Sequence, residues 1–244
     1  MARENFGNTP RNKGYAVHLF TASGAVLGML ALNSVNNGDA RGALLWLVAS
    51  QILDGLDGPI ARRFDVKIHA PRIDGNTLDL VIDYVTCVVV PTIFMLQFNM
   101  LPDSFEIPIA GLIFVSSALW FSRPDLETSD FWFRGFPAVW NLAVATMFIF
   151  DTDPVWVLVI SILLSFSQFT SFQMPHIIRA RWMRPITLPF GTIYIAALIY
   201  LSARFEENDQ IISEIAQVIL LAFPIYVLVI SSIKTFIKPD QNQV

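Results

Sequence analysis

Eight apolar segments of near membrane-spanning length divide this chain, at residues 15–36, 42–62, 76–98, 106–122, 136–150, 154–174, 186–203 and 211–236. A hydrocarbon core about 30 Å thick takes about 20 helical residues to cross. Only a helix or a closed barrel can satisfy its own backbone polar groups there. None of the segments alternates apolar and polar residues long enough to read as a barrel strand. The fold class expected is therefore all-α: a polytopic helical integral membrane protein of about eight transmembrane helices, forming one membrane domain over residues 1–244. Only 15% of the residues are charged, where soluble domains run near a quarter, and the mean hydropathy is +0.55. Cys87 is the one cysteine. It has no partner for an intramolecular disulfide and reads as a small packing residue.

The basic residues give the segments a direction. With the N-terminus in the cytoplasm, 14 of the 16 Lys and Arg fall on inside segments, and only Arg41 and Arg204 fall outside. The positive-inside rule requires this bias, and removing one span would reverse every later loop. The outer loops, such as "RFEENDQ", are acidic instead. Both chain ends are thus expected in the cytoplasm, including the polar segment 1–14. That segment lacks the apolar run and small-residue cleavage site of a secretory leader. A net charge of −4 argues against nonspecific nucleic-acid binding.

Four carboxylates then stand out, because intramembrane acids are rare and usually mark a site. "LDGLDGPIAR" places Asp54 and Asp57 at the cytoplasmic end of the second segment, and "GNTLDLVID" places Asp79 and Asp83 in the cytoplasmic half of the third. Positions 54, 57, 58 and 61 share one helix face, as do 75, 79 and 83. Two antiparallel helices joined by a short basic loop should face each other, setting four acids beside a groove of small residues, Gly58, Ala61 and Gly75. So many acids cannot all stay ionised together without cations. Either some are protonated or metal ions bind. All-oxygen donor sets suit Mg²⁺ or Mn²⁺, and paired ions typically clamp a phosphoryl group undergoing displacement. A lone acid at a helix end could simply snorkel to water, but four acids with two small residues and an arginine in register are poorly explained so.

The stretch resembles the signature of the CDP-alcohol phosphotransferase family, D-x2-D-G-x2-A-R-x(n)-G-x3-D-x3-D. All eight fixed positions are present within residues 54–83: Asp54, Asp57, Gly58, Ala61, Arg62, Gly75, Asp79 and Asp83. The spacer between Arg62 and Gly75, "RFDVKIHAPRID", has twelve residues, more than the commonest members carry. That spacing, the number of spans and "GFPAVWNLAVATMFIF" look like the bacterial branch whose acceptor is free choline. The resemblance implies a CDP-alcohol phosphotransferase-like bundle in the bacterial inner (cytoplasmic) membrane, with its active site on the cytoplasmic side. It implies phosphatidyl transfer from CDP-diacylglycerol to choline, giving phosphatidylcholine and CMP, with a pair of divalent ions (Mn²⁺ or Mg²⁺) and a homodimer. Asp54, Asp57 and Asp79 match the family's metal ligands, and Asp83 matches the residue that is both ligand and general base. Asp57, Gly58, Ala61, Arg62 and Gly75 match positions that border the CDP moiety.

Choline would need aromatic faces for its quaternary ammonium. Tyr84, Trp140 and Asn141 are the candidates, with Trp132, Phe133 and Tyr15 behind them. Any one of these aromatics fits equally an interfacial belt, and Asn141 either bonds across helices or lines the site. Arg123, Arg134, Arg179, Arg181 and Arg184 read mostly as contacts to anionic lipid headgroups. His18, His69 and His176 show no ligand spacing. Two competing readings stand beside choline transfer: the same chemistry with serine, glycerol 3-phosphate or inositol as acceptor, and a cation transporter using the acids as a relay. Transporters place such sites near the midplane, between repeats, and neither feature is present here.

Overall fold

The computed structural model describes residues 10–205 and 210–237. Most of the N-terminal polar segment, part of the acidic outer loop "RFEENDQ" and Lys238 lie outside these residues. The described chain is helical: α1 (Pro10–Asn36), α2 (Ala40–Arg63), a short α3 (Val66–His69), α4 (Gly75–Asp83), α5 (Val90–Gln97), α6 (Glu106–Phe121), α7 (Trp140–Ile149), α8 (Pro154–Ser167), α9 (Arg184–Ala203) and α10 (Gln210–Phe236). A π turn at Tyr84–Val89 joins α4 to α5, so that Gly75–Gln97 runs as one 23-residue apolar helix.

Among the described residues, five helices are long and apolar enough to cross a membrane: Pro10–Asn36, Gly75–Gln97, Asp103–Phe121, Arg184–Ala203 and Ser213–Phe236. Each coincides with an expected segment. α2, with 24 residues, is long enough at about 36 Å, but Gln51, the two acids and two arginines make its inner half less apolar. α7 and α8 are shorter than expected, with 10 and 14 residues, or about 15 and 21 Å. Residues 136–139 and 168–174, read as parts of those spans, are irregular or extended instead. Gly135 and Ala138 take positive φ, 78° and 54°, which cannot continue a right-handed helix. The first helix errs the other way, starting at Pro10, where proline suits a first turn.

The stretches between the helices, including the segment lost from the end of α8, build a cap that the sequence does not announce. β1 (Trp132–Arg134) pairs antiparallel with β2 (Gln173–Pro175), Phe133 opposite Met174. The Gly135 N–H donates to the Phe172 carbonyl at 2.7 Å. A side chain at Gly135 would meet the Ser167 carbonyl at 2.5 Å, so glycine alone fits that crossing. Lys234 near the end of α10 binds Asp130 at 2.6 Å, and the Thr235 hydroxyl accepts the Gln173 N–H at 2.8 Å. Trp132 is fully buried, its ring tilted 36° against that of Trp182 at 5.7 Å. It is a core residue of the cap and not the interfacial belt residue its composition implied, because β2 and α10 cover it.

Packing positions α4 and α2 against α1. Gly24 and Gly28, one turn apart on α1, admit the third span closely. A Cβ at Gly24 would lie 2.8 Å from Ile82 Cγ2, and one at Gly28 3.1 Å from Thr86 Cγ2. Small residues at this spacing let membrane helices approach backbone to backbone. The twelve-residue spacer is held down as well. Val66 and Ala70 pack with Val17 of α1, and the buried His18 ring donates from Nε2 to the Ala70 carbonyl at 3.3 Å. α4 then starts at a side-chain cap: Asp74 accepts the Asn76 N–H at 3.0 Å and the Thr77 hydroxyl at 3.2 Å. These donors, the Asn76 N–H first, hold the Asp74 carboxyl below the usual range. Most remaining buried apolar side chains, among them Leu44, Leu47, Val88, Phe94, Ile113, Trp140 and Leu198, form one cluster.

Candidate active site

The acids converge. One carboxylate oxygen each from Asp54 and Asp57 on α2 and Asp79 on α4 lie within 4.8 Å of one another. Asp57 is buried; Asp54 and Asp79 are half-buried. Asp79 and Thr21 of α1 lie close enough to interact directly with the Asp57 carboxylate. Two carboxylates hold such a contact only with a proton or a cation between them. Asp83, one turn beyond Asp79, is not in this group of three but lies close enough to interact with the charges of Asp54, Asp79 and Asp57.

The donor set fits a hard divalent cation. Neighbouring oxygens around Mg²⁺ are about 3 Å apart and opposite ones about 4.2 Å, so three oxygens within 4.8 Å of one another are near the spread that one ion requires. Asp54 has a further partner, because the Gln51 amide, one turn along α2, donates to its Oδ2 at 3.1 Å.

The small residues border the acids unequally. A Cβ at Gly58 would meet Arg62 Nη1 at 3.3 Å, so the exposed Arg62 folds its guanidinium back along the Gly58 face. Gly75 faces His18, whose Cε1 would lie 3.3 Å from a Cβ there. Ala61 packs instead against the Val17, Val66 and Ala70 cluster. Tyr84 keeps partial exposure, its hydroxyl donating to the Phe114 carbonyl at 3.1 Å and its ring edge-on to Phe121 at 6.1 Å. Trp140 is fully buried, with its indole N–H on Ser117 Oγ at 2.9 Å. Asn141 bonds across helices, donating to Gln51 Oε1 at 2.8 Å.

The cap leans over the motif. Ile178 Cδ1 lies 3.5 Å from where a Cβ on Gly55 would stand. His176 stacks on Phe133, centroids 5.2 Å apart, and burial, then the charges of Arg179 and Arg62, push its ring down to about 4. Two of the arginines read as lipid contacts are paired internally. Arg179 binds Glu127 at 2.9 Å and covers the Phe131 ring at 4.1 Å. Arg123 binds Asp125 at 2.9 Å and the Gln168 carbonyl at 3.0 Å. Gln51 and Thr21 border the acids although neither belongs to the motif. Gln51 was signalled by being polar in an apolar run one turn before an acid, whereas Thr21 carried no such mark.

No family model matches the chain. Whole-sequence comparison is informative. The chain is 38% identical over 194 residues to the phosphatidylcholine synthase of Pseudomonas aeruginosa, covering 78% of this chain and 81% of that one. It is 33% identical over 222 residues to that of Borreliella burgdorferi, covering 91% and 94%. The chain belongs to the phosphatidylcholine synthase family. The phosphatidylcholine synthase of Agrobacterium fabrum is similar too, 34% identical over 184 residues, or 75% of this chain and 76% of that one. These matches cover three-quarters or more of both partners and so extend far beyond the acidic motif.

Proposed function

We propose that the chain transfers the phosphatidyl group of CDP-diacylglycerol to choline, releasing CMP and forming phosphatidylcholine. The observation that carries the reading is the meeting of Asp54, Asp57 and Asp79 oxygens within 4.8 Å, in a chain whose relatives are phosphatidylcholine synthases. Two divalent ions, Mn²⁺ or Mg²⁺, bound by these acids and Asp83 would neutralise the pyrophosphate and the charge developing on CMP. Asp83, at the rim of the group, accepts the choline hydroxyl proton as that oxygen attacks the donor phosphorus and the bond to CMP breaks. Asp57, Gly58, Ala61 and Gly75 border the CDP moiety, and the Arg62 guanidinium lies ready for its phosphates. Tyr84 follows Asp83 directly and offers a partly exposed ring to the quaternary ammonium. Asn141 contributes from one shell further out, and Trp140 shapes the wall behind it.

The acyl tails of the donor stay in lipid while its head enters the polar end of the bundle. This requires the acids at the inner leaflet of the bacterial cytoplasmic membrane, with eight spans, both termini inside and one membrane domain per chain. The bias of Lys and Arg toward the inside segments supports that orientation. A homodimer is part of the reading. The test is a choice of acceptor. Purified protein with CDP-diacylglycerol and Mn²⁺ is expected to release CMP with choline, and to release none with serine, inositol or glycerol 3-phosphate. Turnover only with another acceptor would overturn the choice of choline. Cation flux in liposomes without CMP release would overturn the reaction itself.

A further inference from the structure

Two amides, Asn141 buried and Gln51 half-buried, connect the acids to a helix that bears none. Asn141 lies in the first turn of α7, 2% exposed, and its Nδ2 donates to Gln51 Oε1 at 2.8 Å. Gln51 Nε2 in turn donates to Asp54 Oδ2 at 3.1 Å. The Oδ1 of Asn141 has no hydrogen-bond partner among the described residues. Burying an amide in an apolar span with half its capacity unmet opposes folding. A residue kept there on those terms is held by the one bond it makes.

The polarity of this chain of bonds follows from chemistry. An ionised carboxylate only accepts hydrogen bonds. Gln51 must therefore turn its NH₂ toward Asp54, which leaves its Oε1 facing α7. That oxygen needs a donor, and Asn141 supplies one. Each amide has a single orientation that satisfies the next member, and the acid at the end sets them all. We propose that Gln51 and Asn141 are positioning residues that fix Asp54 as an ion ligand, holding its Oδ2 so that Oδ1 is presented to the cation. Asp54 sits on α2 and Asn141 on α7, so the relay also ties the ligand to a second, independent helix. Partners of this kind orient metal ligands, and their loss typically weakens metal binding about 10–100-fold. The inference rests on the reading of the acids as a metal site.

The test measures Mn²⁺ binding to the purified full-length protein in lipid nanodiscs by electron paramagnetic resonance, alongside turnover with Mn²⁺ varied. Gln51→Leu keeps the size and removes the amide. It is expected to weaken Mn²⁺ about 10–100-fold, raising the half-saturating Mn²⁺ concentration while leaving the choline KM at saturating Mn²⁺ unchanged. Asn141→Leu keeps the size but removes the donor, and Asn141→Ala removes both. The relay predicts that Asn141→Leu weakens Mn²⁺ binding as much as Asn141→Ala. A packing role predicts that only alanine weakens it, since only alanine leaves a cavity. Wild-type Mn²⁺ affinity in folded Gln51→Leu, or in Asn141→Leu, overturns the relay. If Gln51→Leu does not fold, Asn141→Leu decides alone. Asp54→Asn separates the two levels. If it loses Mn²⁺ while Gln51→Leu does not, the relay alone fails. If it retains wild-type binding, the metal reading fails and takes the relay with it.

Discussion

The acid-bearing pair of α2 and α4 and the cap of β1, β2 and their flanking loops both concentrate charge, and they balance it in opposite ways. In the cap, opposite charges meet: Arg123 with Asp125, Arg179 with Glu127, and Lys234 with Asp130, at 2.9, 2.9 and 2.6 Å. Between α2 and α4, like charges meet, and no lysine or arginine ion pair is recorded for Asp54, Asp57 or Asp79 among the described residues. The cap completes its own electrostatics and so serves as structure. The acid group leaves its electrostatics open, to be completed by what binds. Placed side by side, the two show that the number of charges matters less than whether the fold closes them.

If that contrast is right, removing cations should affect the two regions very differently. Chelation with EDTA is expected to bring CMP release to background, restored by Mn²⁺ or Mg²⁺, while far-ultraviolet circular dichroism stays unchanged. Activity that persists in excess chelator would erase the distinction. Next in size is Asp83→Asn, which removes a proton acceptor and keeps the shape. Turnover should fall about 10²–10⁴-fold with CDP-diacylglycerol binding largely retained, as read by CMP release and by titration with the donor. On the other side of the comparison, Lys234→Met leaves Asp130 without its cation. Breaking a largely buried pair costs about 3 kcal/mol, somewhat less here because Asp130 is partly open to solvent. Thermal unfolding should shift downward while the half-saturating Mn²⁺ concentration stays put.

The smallest effect expected concerns His176. Its folded value, near 4, lies below the ordinary 6.5, so the folded cap holds the ring neutral where the unfolded chain would bind a proton. The stabilisation is complete above pH 6.5, declines as pH falls from 6.5 to 4, and is gone below 4. At pH 5 about 2 kcal/mol is lost, from 1.36 kcal/mol per unit. Hydrogen exchange across residues 173–183 should quicken over that window. His176→Phe, which keeps the stack on Phe133, should flatten the dependence, and an unchanged profile would remove His176 as its source.

What could be read from the sequence follows the range of the interactions. Hydropathy is summed along a continuous segment, so all eight helical segments were visible, and period-3.6 spacing put Asp54 with Asp57 and Asp79 with Asp83. A twelve-residue spacer limits how far α2 and α4 can part, so their convergence could be anticipated. The cap could not. Its strands are three residues each and meet across about forty residues of chain, too short for alternation to show. Apolar composition at 136–139 and 168–174 looked like more span, because periodicity cannot tell a buried irregular segment from a helix. Trp132 was misread for a related reason: a tryptophan near the interface looks alike whether lipid or protein covers it. The ion pairs of Arg123 and Arg179 join residues near one another in space but, for Arg179, 52 apart in sequence. Asn141 was legible as an anomaly, a polar residue in an apolar run, but its partner on α2 was not.

The π turn at Tyr84–Val89 begins at the residue after Asp83. A π turn adds the equivalent of one residue to an α-helix, and such insertions gather at functional sites. The extra residue is taken up between Asp79 and Asp83 on one side and Val90 and Phe94, which enter the core, on the other. Deleting a single residue between 84 and 89 would therefore only close the turn into regular α-helix, with the carboxylates and the core face still in phase. The same deletion in regular helix, where nothing absorbs it, would swing the two relative to each other by about 100°, turning a still-hydrophobic, still-helical segment into one that points its chemistry at the wrong neighbour.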